Sequence, residues 1–357
     1  MALHPLKLSG TPAALGAQHG ASLGEGFRAD CESFLHSAET IFNTPYERIR
    51  ANLEVLDRFV PDEFRQEMQG LAQAAGVTYE NILALNTFLD TSGILVAQRP
   101  HCINLVAYGP ATTDGRLIHG RNLDFPAAGF AEKTAAVFMY RPEHGNAFLS
   151  VAWGGFIGAV TGMNEHGLTV TEISASNHRV SPEGIPVMIL LRMVLQYASS
   201  IEEAIEIIRS SPRTAGFNIT LTDWRVPEAV CVEFDAEKVG IRRARKSLLV
   251  VSENSLTPRL AKQELWQCGP ARHIRAHDLA DQHYGRITPE IMIEILRDRW
   301  DPIYRRQGKS YNCLCSNETV QSVVFLPQER RALISNRSVP APDGEYVEYT
   351  LTEAHVA

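Results

Sequence analysis

Asp114-Gly115 stands between two runs with strand composition, INLVAYG at 103–109 and RLIHGRNLDF at 116–125. An Asp-Gly pair between such runs is a strong short-range hairpin signal, because both residues tolerate the positive φ of a tight turn. Cys102 opens this hairpin, and the Arg-x-x-Asp of Arg121 and Asp124 closes it. A two-residue turn at Asp114-Gly115 would set Cys102 opposite Ala127, leaving Asp124 about 10 Å along the ladder from that point, and less with a bulge. Folding of one short segment therefore returns an arginine and an aspartate towards a cysteine. An adjacent guanidinium favours the thiolate over the thiol.

The segments on either side differ in character. Before Cys102 the apolar period is helical, as in PDEFRQEMQGLAQAAG, which opens on Pro and acids and ends on Gly. The first hundred residues are expected to be helical throughout. After Cys102, runs such as TAAVFMYRP, AFLSVAW and GLTVTEIS follow at hairpin spacing. Two helical stretches come next, PVMILLRMVLQYASS and SIEEAIEIIRSS, and then further strands. Antiparallel strands in blocks, separated by helices in pairs, point to an α+β layered fold rather than an alternating parallel sheet.

At 357 residues the chain can bury a sizeable core. Its net charge of −7 has no basic stripe, which argues against a nucleic-acid partner. The N-terminus lacks a cationic stretch followed by an apolar core, so a cytoplasmic location is expected. The longest apolar stretch is interrupted by Arg192 and is too short to span a bilayer, so no membrane partner is expected. The six cysteines match neither a disulfide framework nor a zinc site, and reduced thiols with no metal are the expectation.

Spacing alone leaves two readings of Cys102. It is either a small buried hydrophobe beside a surface Arg121–Asp124 pair, or a nucleophile. A cysteine nucleophile ordinarily needs a base, and none of the twelve histidines has an obvious catalytic setting. His101 is its neighbour on a strand and points to the opposite face, and His119 reads as a strand residue. A cut between His101 and Cys102 would supply a base of another kind, because the new α-amine has a pKa near about 7.7–8.0.

The block from Cys102 to 175 resembles the N-terminal-nucleophile hydrolases, and within them the isopenicillin-N acyltransferase-like family, with acid ceramidase and choloylglycine hydrolase as more distant relatives. The resemblance is carried by the cysteine, by DGRLIHGRNLDF with its G-R-N-x-D, by LALN at 83–86, MNEHGLTVTE at 163–172, SEN at 252–254 and RHIR at 272–275. It implies a four-layer αββα fold. It also implies a helical pro-segment, residues 1–101, that is retained as a small subunit beside a catalytic subunit of residues 102–357, the two forming one structural domain.

By the same resemblance, Cys102 is the nucleophile, Asp124 holds its α-amine and Arg121 lies beside its thiol. Glu172 matches an acidic position, Asn254 the oxyanion-binding asparagine, and Arg275 and Ser316 substrate-binding positions. Two departures stand out: Ile103 where Thr or Ser commonly follows the nucleophile, and Asn317 where Arg is common. The implied activity is a self-processed cysteine amidohydrolase or N-acyltransferase acting on a small acyl-amide or acyl-thioester. It needs no cofactor and admits acyl-coenzyme A as a co-substrate. After the cut the enzyme would be a non-covalent heterodimer of its own fragments. A conventional cysteine hydrolase without self-cleavage, and a non-catalytic binding protein on the same fold, remain the alternatives.

Overall fold

The structure, a computed structural model, describes residues 5–42, 44–95, 102–125, 129–175, 179–258, 260, 268–337 and 339–351. Among the described residues before Cys102 there are six helices: α1 (Pro12–Ser22), α2 (Phe27–Phe42), α3 (Tyr46–Asp57), α4 (Asp62–Ala75), α5 (Tyr79–Asn86) and α6 (Phe88–Leu95). Local chemistry sets their limits. The Thr78 hydroxyl caps α5 by accepting the Asn81 N–H at 3.1 Å, and α4 ends on Gly76 in the left-handed region (φ 66°).

The expectation of an all-helical start needs one correction. Pro5–Gly10 forms β1, which pairs in parallel with β4 (Ala135–Pro142). Leu6 and Leu8 alternate with Lys7 and Ser9, and Leu8 is buried, so the stretch has the two-residue period of an edge strand. The segment before Cys102 thus contributes a strand as well as helices.

From Cys102 onward the chain builds two sheets. Hairpin strands β2 (Cys102–Gly109) and β3 (Gly115–Asp124) come first, followed by α7 (Phe130–Thr134), β4, β5 (Phe148–Trp153), β6 (Thr161–Asn164) and β7 (Thr169–Ser174). Helices α8 (Val187–Tyr197) and α9 (Ile201–Ser210) precede β8 (Phe217–Asp223), β9 (Glu228–Phe234), β10 (Val239–Arg243) and β11 (Leu248–Val251). The remainder is α10 (Cys268–Gln282), α11 (Pro289–Leu296), a small pair β12 (Trp300–Asp301) and β13 (Arg306–Gln307), then β14 (Thr319–Leu326), β15 (Arg331–Ser335) and β16 (Tyr346–Thr350).

One sheet runs β1-β4-β5-β6-β7-β8-β9-β10 and the other β11-β2-β3-β14-β15-β16. Val137, Met139 and Leu149 of the first meet Val323, Phe325 and Ile334 of the second in the space between them. Helices α10 and α11 cover the outer face of the second sheet through Ala276, Ala280, Met292 and Ile295 against Ile103, Leu105 and Ile118. Helices α8 and α9 lie on the first sheet, so the layers are helix, sheet, sheet, helix, as expected.

The helices before Cys102 are joined to this body by buried polar contacts. Glu67 on α4 forms a two-pronged pair with Arg192 on α8, at 3.1 and 3.3 Å, with both side chains 1% exposed. Asp90 on α6 accepts the Val187 N–H at the start of α8, at 2.9 Å. Breaking a buried pair such as Glu67–Arg192 from one side costs about 3–5 kcal/mol, because the remaining charge has no compensation. Among the described residues no helix is long and apolar enough to cross a membrane.

The hairpin register also departs from expectation. Gly109 faces Gly115, which leaves a five-residue connection, 110–114, in place of a two-residue turn. Pro110 follows Gly109, whose φ of 53° turns the chain early, and the Asp114 carboxylate accepts the Arg116 N–H at 3.0 Å instead of centring the turn. Cys102 consequently faces Leu123, and Asp124 is the next residue along. Ala127, the partner expected from the shorter turn, lies outside the described residues, as does His101.

Candidate active site

Residues 102, 104 and 106 of β2 point into the space between the sheets, as shown by the Asn104 amide donating to the Thr220 hydroxyl on β8 at 2.9 Å. Arg121 stands directly opposite Asn104 and Leu123 opposite Cys102. Arg121 and Cys102 are therefore diagonal neighbours on one face, about 7–8 Å apart at the backbone. Both side chains are buried.

Arg121 crosses to the first sheet. Its Nη1 donates to the Glu172 carbonyl oxygen on β7, and its Nη2 lies 3.9 Å from the Glu172 carboxylate. Its Nε and Nη2 donate no hydrogen bond. Glu172 accepts the Ser174 hydroxyl at 3.0 Å, and burial raises its pKa against the pull of Arg121. Burial also pushes the Cys102 thiol up to about 12. Arg121 and the Asp124 backbone N–H oppose that shift, while Glu172 and Asp124 add to it. Burial thus favours the thiol over the thiolate, and a base brought to it would favour the thiolate.

Asp124 is held from three directions. Thr319 donates to Oδ1 at 2.6 Å, Ser316 donates to Oδ2 at 3.0 Å, and Arg272 Nη1 lies 3.0 Å from Oδ2. Ser316 accordingly touches Asp124, as a support of that carboxylate. Arg275 stands apart from this group: it forms a fork on Asp298 at 2.6 and 3.0 Å, partly exposed to solvent. Of the two arginines in RHIR, it is Arg272 that turns inward. Arg272, Ala276 and Ala280 recur every four residues and are each 0% exposed, so the buried row of α10 carries the signal that separates them.

Asn254 follows β11. Val251 faces Asn104, so the chain leaves that strand at the Cys102 end of β2. Asn218 braces the turn, donating to the Ser252 carbonyl and accepting the Ser255 hydroxyl, both at 2.9 Å. The Asn254 side chain is buried and its Nδ2 donates to no group. It rests against Gly269 at the start of α10, where a Cβ would stand 2.1 Å from that nitrogen. Only glycine at 269 leaves the amide its position.

An apolar pocket opens beside the thiol. Phe88 and Leu89 of α6, Phe125, Trp153 and Phe156 line it together with Cys102 and Glu172. Among the described residues no histidine lines it; His101 and His178 lie outside them. His119, the histidine on β3, is fully buried between Thr169 and Thr171, and burial lowers its pKa to about 3. Among the described residues no group of three or more His, Cys, Asp or Glu is arranged to hold a metal ion.

A sequence profile of the acyl-coenzyme A:6-aminopenicillanic acid acyl-transferase family matches residues 111–338. A protein of Archaeoglobus fulgidus is 25% identical over 361 aligned residues, covering 86% of this chain and 60% of its own length. The N-acylethanolamine-hydrolyzing acid amidase of Rattus norvegicus is 24% identical over 125 residues, covering 35% of this chain and 32% of its own. A solved structure of the Caenorhabditis elegans ortholog of that amidase overlays with a TM-score of 0.47 at 16% identity, covering 63% of this chain and 93% of that one. The chain thus spans less than two thirds of the length of these sequence relatives.

Proposed function

The chain belongs to the acyl-coenzyme A:6-aminopenicillanic acid acyl-transferase family, and from that premise we propose that it is a self-activating cysteine amidase that cleaves small amides with an apolar acyl group. The observation that carries the reading is the position of Cys102. It opens a strand with Arg121 diagonal to it and Asp124 one step past its ladder partner, beside an apolar pocket that no histidine lines among the described residues.

In the self-cleavage step, the Cys102 sulfur attacks the carbonyl carbon of residue 101. A C–S bond forms, the C–N bond breaks, and the proton leaving the thiol ends on the new α-amine. Water then hydrolyses the thioester and frees residue 101 as a carboxylate. Asp124 would orient that amine, with Thr319, Ser316 and Arg272 holding its carboxylate in place.

In turnover the α-amine is the base for its own thiol, at a pKa suited to neutral pH. The thiolate attacks the amide carbonyl of the substrate. The Asn254 Nδ2 hydrogens stabilise the charge that develops on the oxygen. The unused donors of Arg121 favour the thiolate. The α-ammonium protonates the leaving amine, and water resolves the acyl-thioester. Phe88, Leu89, Phe125, Trp153 and Phe156 offer an acyl chain an apolar lining, and two of these five come from the segment before Cys102. The pro-segment therefore has to stay bound after the cut, which the Glu67–Arg192 and Asp90–Val187 contacts favour.

The testing experiment is turnover of a panel of N-acyl amides, with apolar and polar acyl groups, by the purified protein and by Cys102→Ala. Hydrolysis of the apolar members by the wild type alone is expected. Equal turnover by Cys102→Ala would remove the cysteine from the reaction.

A further inference from the structure

Part of the pocket wall is built on a glycine-rich loop, Gly154–Val160, between β5 and β6. Such a loop has no ladder of its own, so its backbone groups need other partners. Several are supplied by side chains that precede Cys102. Asn86, 0% exposed at the end of α5, accepts the Ile157 N–H at 2.8 Å and the Gly158 N–H at 3.0 Å, and donates to the Gly155 carbonyl at 2.9 Å. His19 on α1 accepts the Gly155 N–H at Nε2, at 3.2 Å, and burial keeps its ring neutral. Arg192, itself held by Glu67, donates to the Ile157 carbonyl at 2.9 Å. Gly155 has φ 87°, and a Cβ there would stand 2.7 Å from Leu85 and 2.8 Å from Phe27, again from the leading segment.

We propose that Asn86, seconded by His19, is a positioning residue that sets which acyl chains the Cys102 pocket accepts. The inference rests on the reading of that pocket as an acyl site. One amide side chain engages three backbone groups of the loop, at Gly155, Ile157 and Gly158, and between and beside those points Phe156 and Val160 of the loop, with Trp153 at the end of β5, line the pocket. Losing Asn86 would remove the partner of the Gly155 carbonyl and of the Ile157 and Gly158 N–H groups. The loop would then shift to find others, and Phe156 would move with it. The nucleophile and its carboxylate lie on the second sheet and do not depend on these bonds. The segment before Cys102 thus acts in substrate choice, beyond any role in guarding the thiol.

The test compares wild type, Asn86→Ala, His19→Leu and Thr78→Ala with amides of one amine and acyl groups of increasing length. Thr78→Ala weakens the cap of the same helix while leaving the loop contacts in place. The wild type should show a preferred length. Asn86→Ala should lose roughly tenfold or more in kcat/KM at that length, through KM, and about threefold or less at the shortest. His19→Leu should move the same way by less, and Thr78→Ala should keep the wild-type profile. An equal loss at every length, or an unchanged profile in Asn86→Ala, overturns the proposal. If Asn86→Ala does not fold, His19→Leu is judged by the same criterion. If the wild type hydrolyses no amide, the amidase reading fails by itself. Length preference is then read from fatty-acid binding by tryptophan emission of the same proteins, where a changed preference supports the role of Asn86 and an unchanged one overturns it.

Discussion

Arg272 and Asp124 meet at the end of strand β3, 3.0 Å apart and both shielded from water, although 148 positions separate them in the chain. One turn further along α10, Arg275 spends its guanidinium on Asp298. Two arginines three residues apart therefore have different consequences. Asp124 is the carboxylate next to the Cys102 rung of the hairpin, and Arg272 is the cation that helps to hold it in place.

Replacing the two arginines should separate these roles. Arg272→Met leaves Asp124 as a buried charge without its cation and should cost about 3–5 kcal/mol, with activity lost in parallel. Arg275→Met removes a pair near the surface and should stay within about 1 kcal/mol of wild type. Urea unfolding followed by circular dichroism measures both. Equal losses would mean that Asp124 does not rely on Arg272.

Self-cleavage should appear in the intact mass. Dividing 39.6 kDa in the ratio 101:256 gives fragments of about 11 and about 28 kDa, with Cys102 as the new N-terminus. Cys102→Ala should remain a single chain. A fully active chain of undivided mass would rule out the α-amine as base.

Asn254→Ala should reduce kcat by about 10²–10³ in the cleaved enzyme, with little change in KM, if the amide meets charge that exists only in the transition state. Gly269→Ala should reproduce much of this loss without touching Asn254, because the added Cβ would occupy the place of Nδ2, 2.1 Å away. Steady-state kinetics on one acyl-amide decides both. Full kcat in a correctly cleaved Asn254→Ala would assign the oxyanion to another donor.

Buried neutral histidines should make the fold acid-sensitive. His119 has its pKa lowered to about 3 by burial, with Arg121 adding to the effect. The unfolded chain titrates near about 6.5 and binds a proton that the folded chain refuses, so stability is full above that value and falls as the pH drops towards 3. The loss approaches about 1.4 kcal/mol per pH unit for the one group. His119→Gln keeps a polar partner for Thr169 and should flatten the stability profile by about that slope between about pH 6 and about pH 4. Chemical unfolding at a series of pH values measures it, and parallel profiles would show that His119 titrates normally in the folded chain.

Local pattern was enough to place much of this molecule. Antiparallel strands in blocks with paired helices pointed to the layered α+β fold, and a single hairpin carries Cys102, Arg121 and Asp124, because strand period and turn chemistry act over a few residues. The length of the hairpin loop was not legible, since Gly109 and Pro110 start the turn before Asp114-Gly115 can. Nor was β1, whose parallel partner lies more than a hundred residues away. The choice of Arg272 over Arg275 depended on which face of α10 the second sheet buries, and the work of Asn86 on a loop some seventy residues downstream. These are pairings between distant segments. Sequence period says that a face will be buried, whereas packing of the whole chain decides what it is buried against.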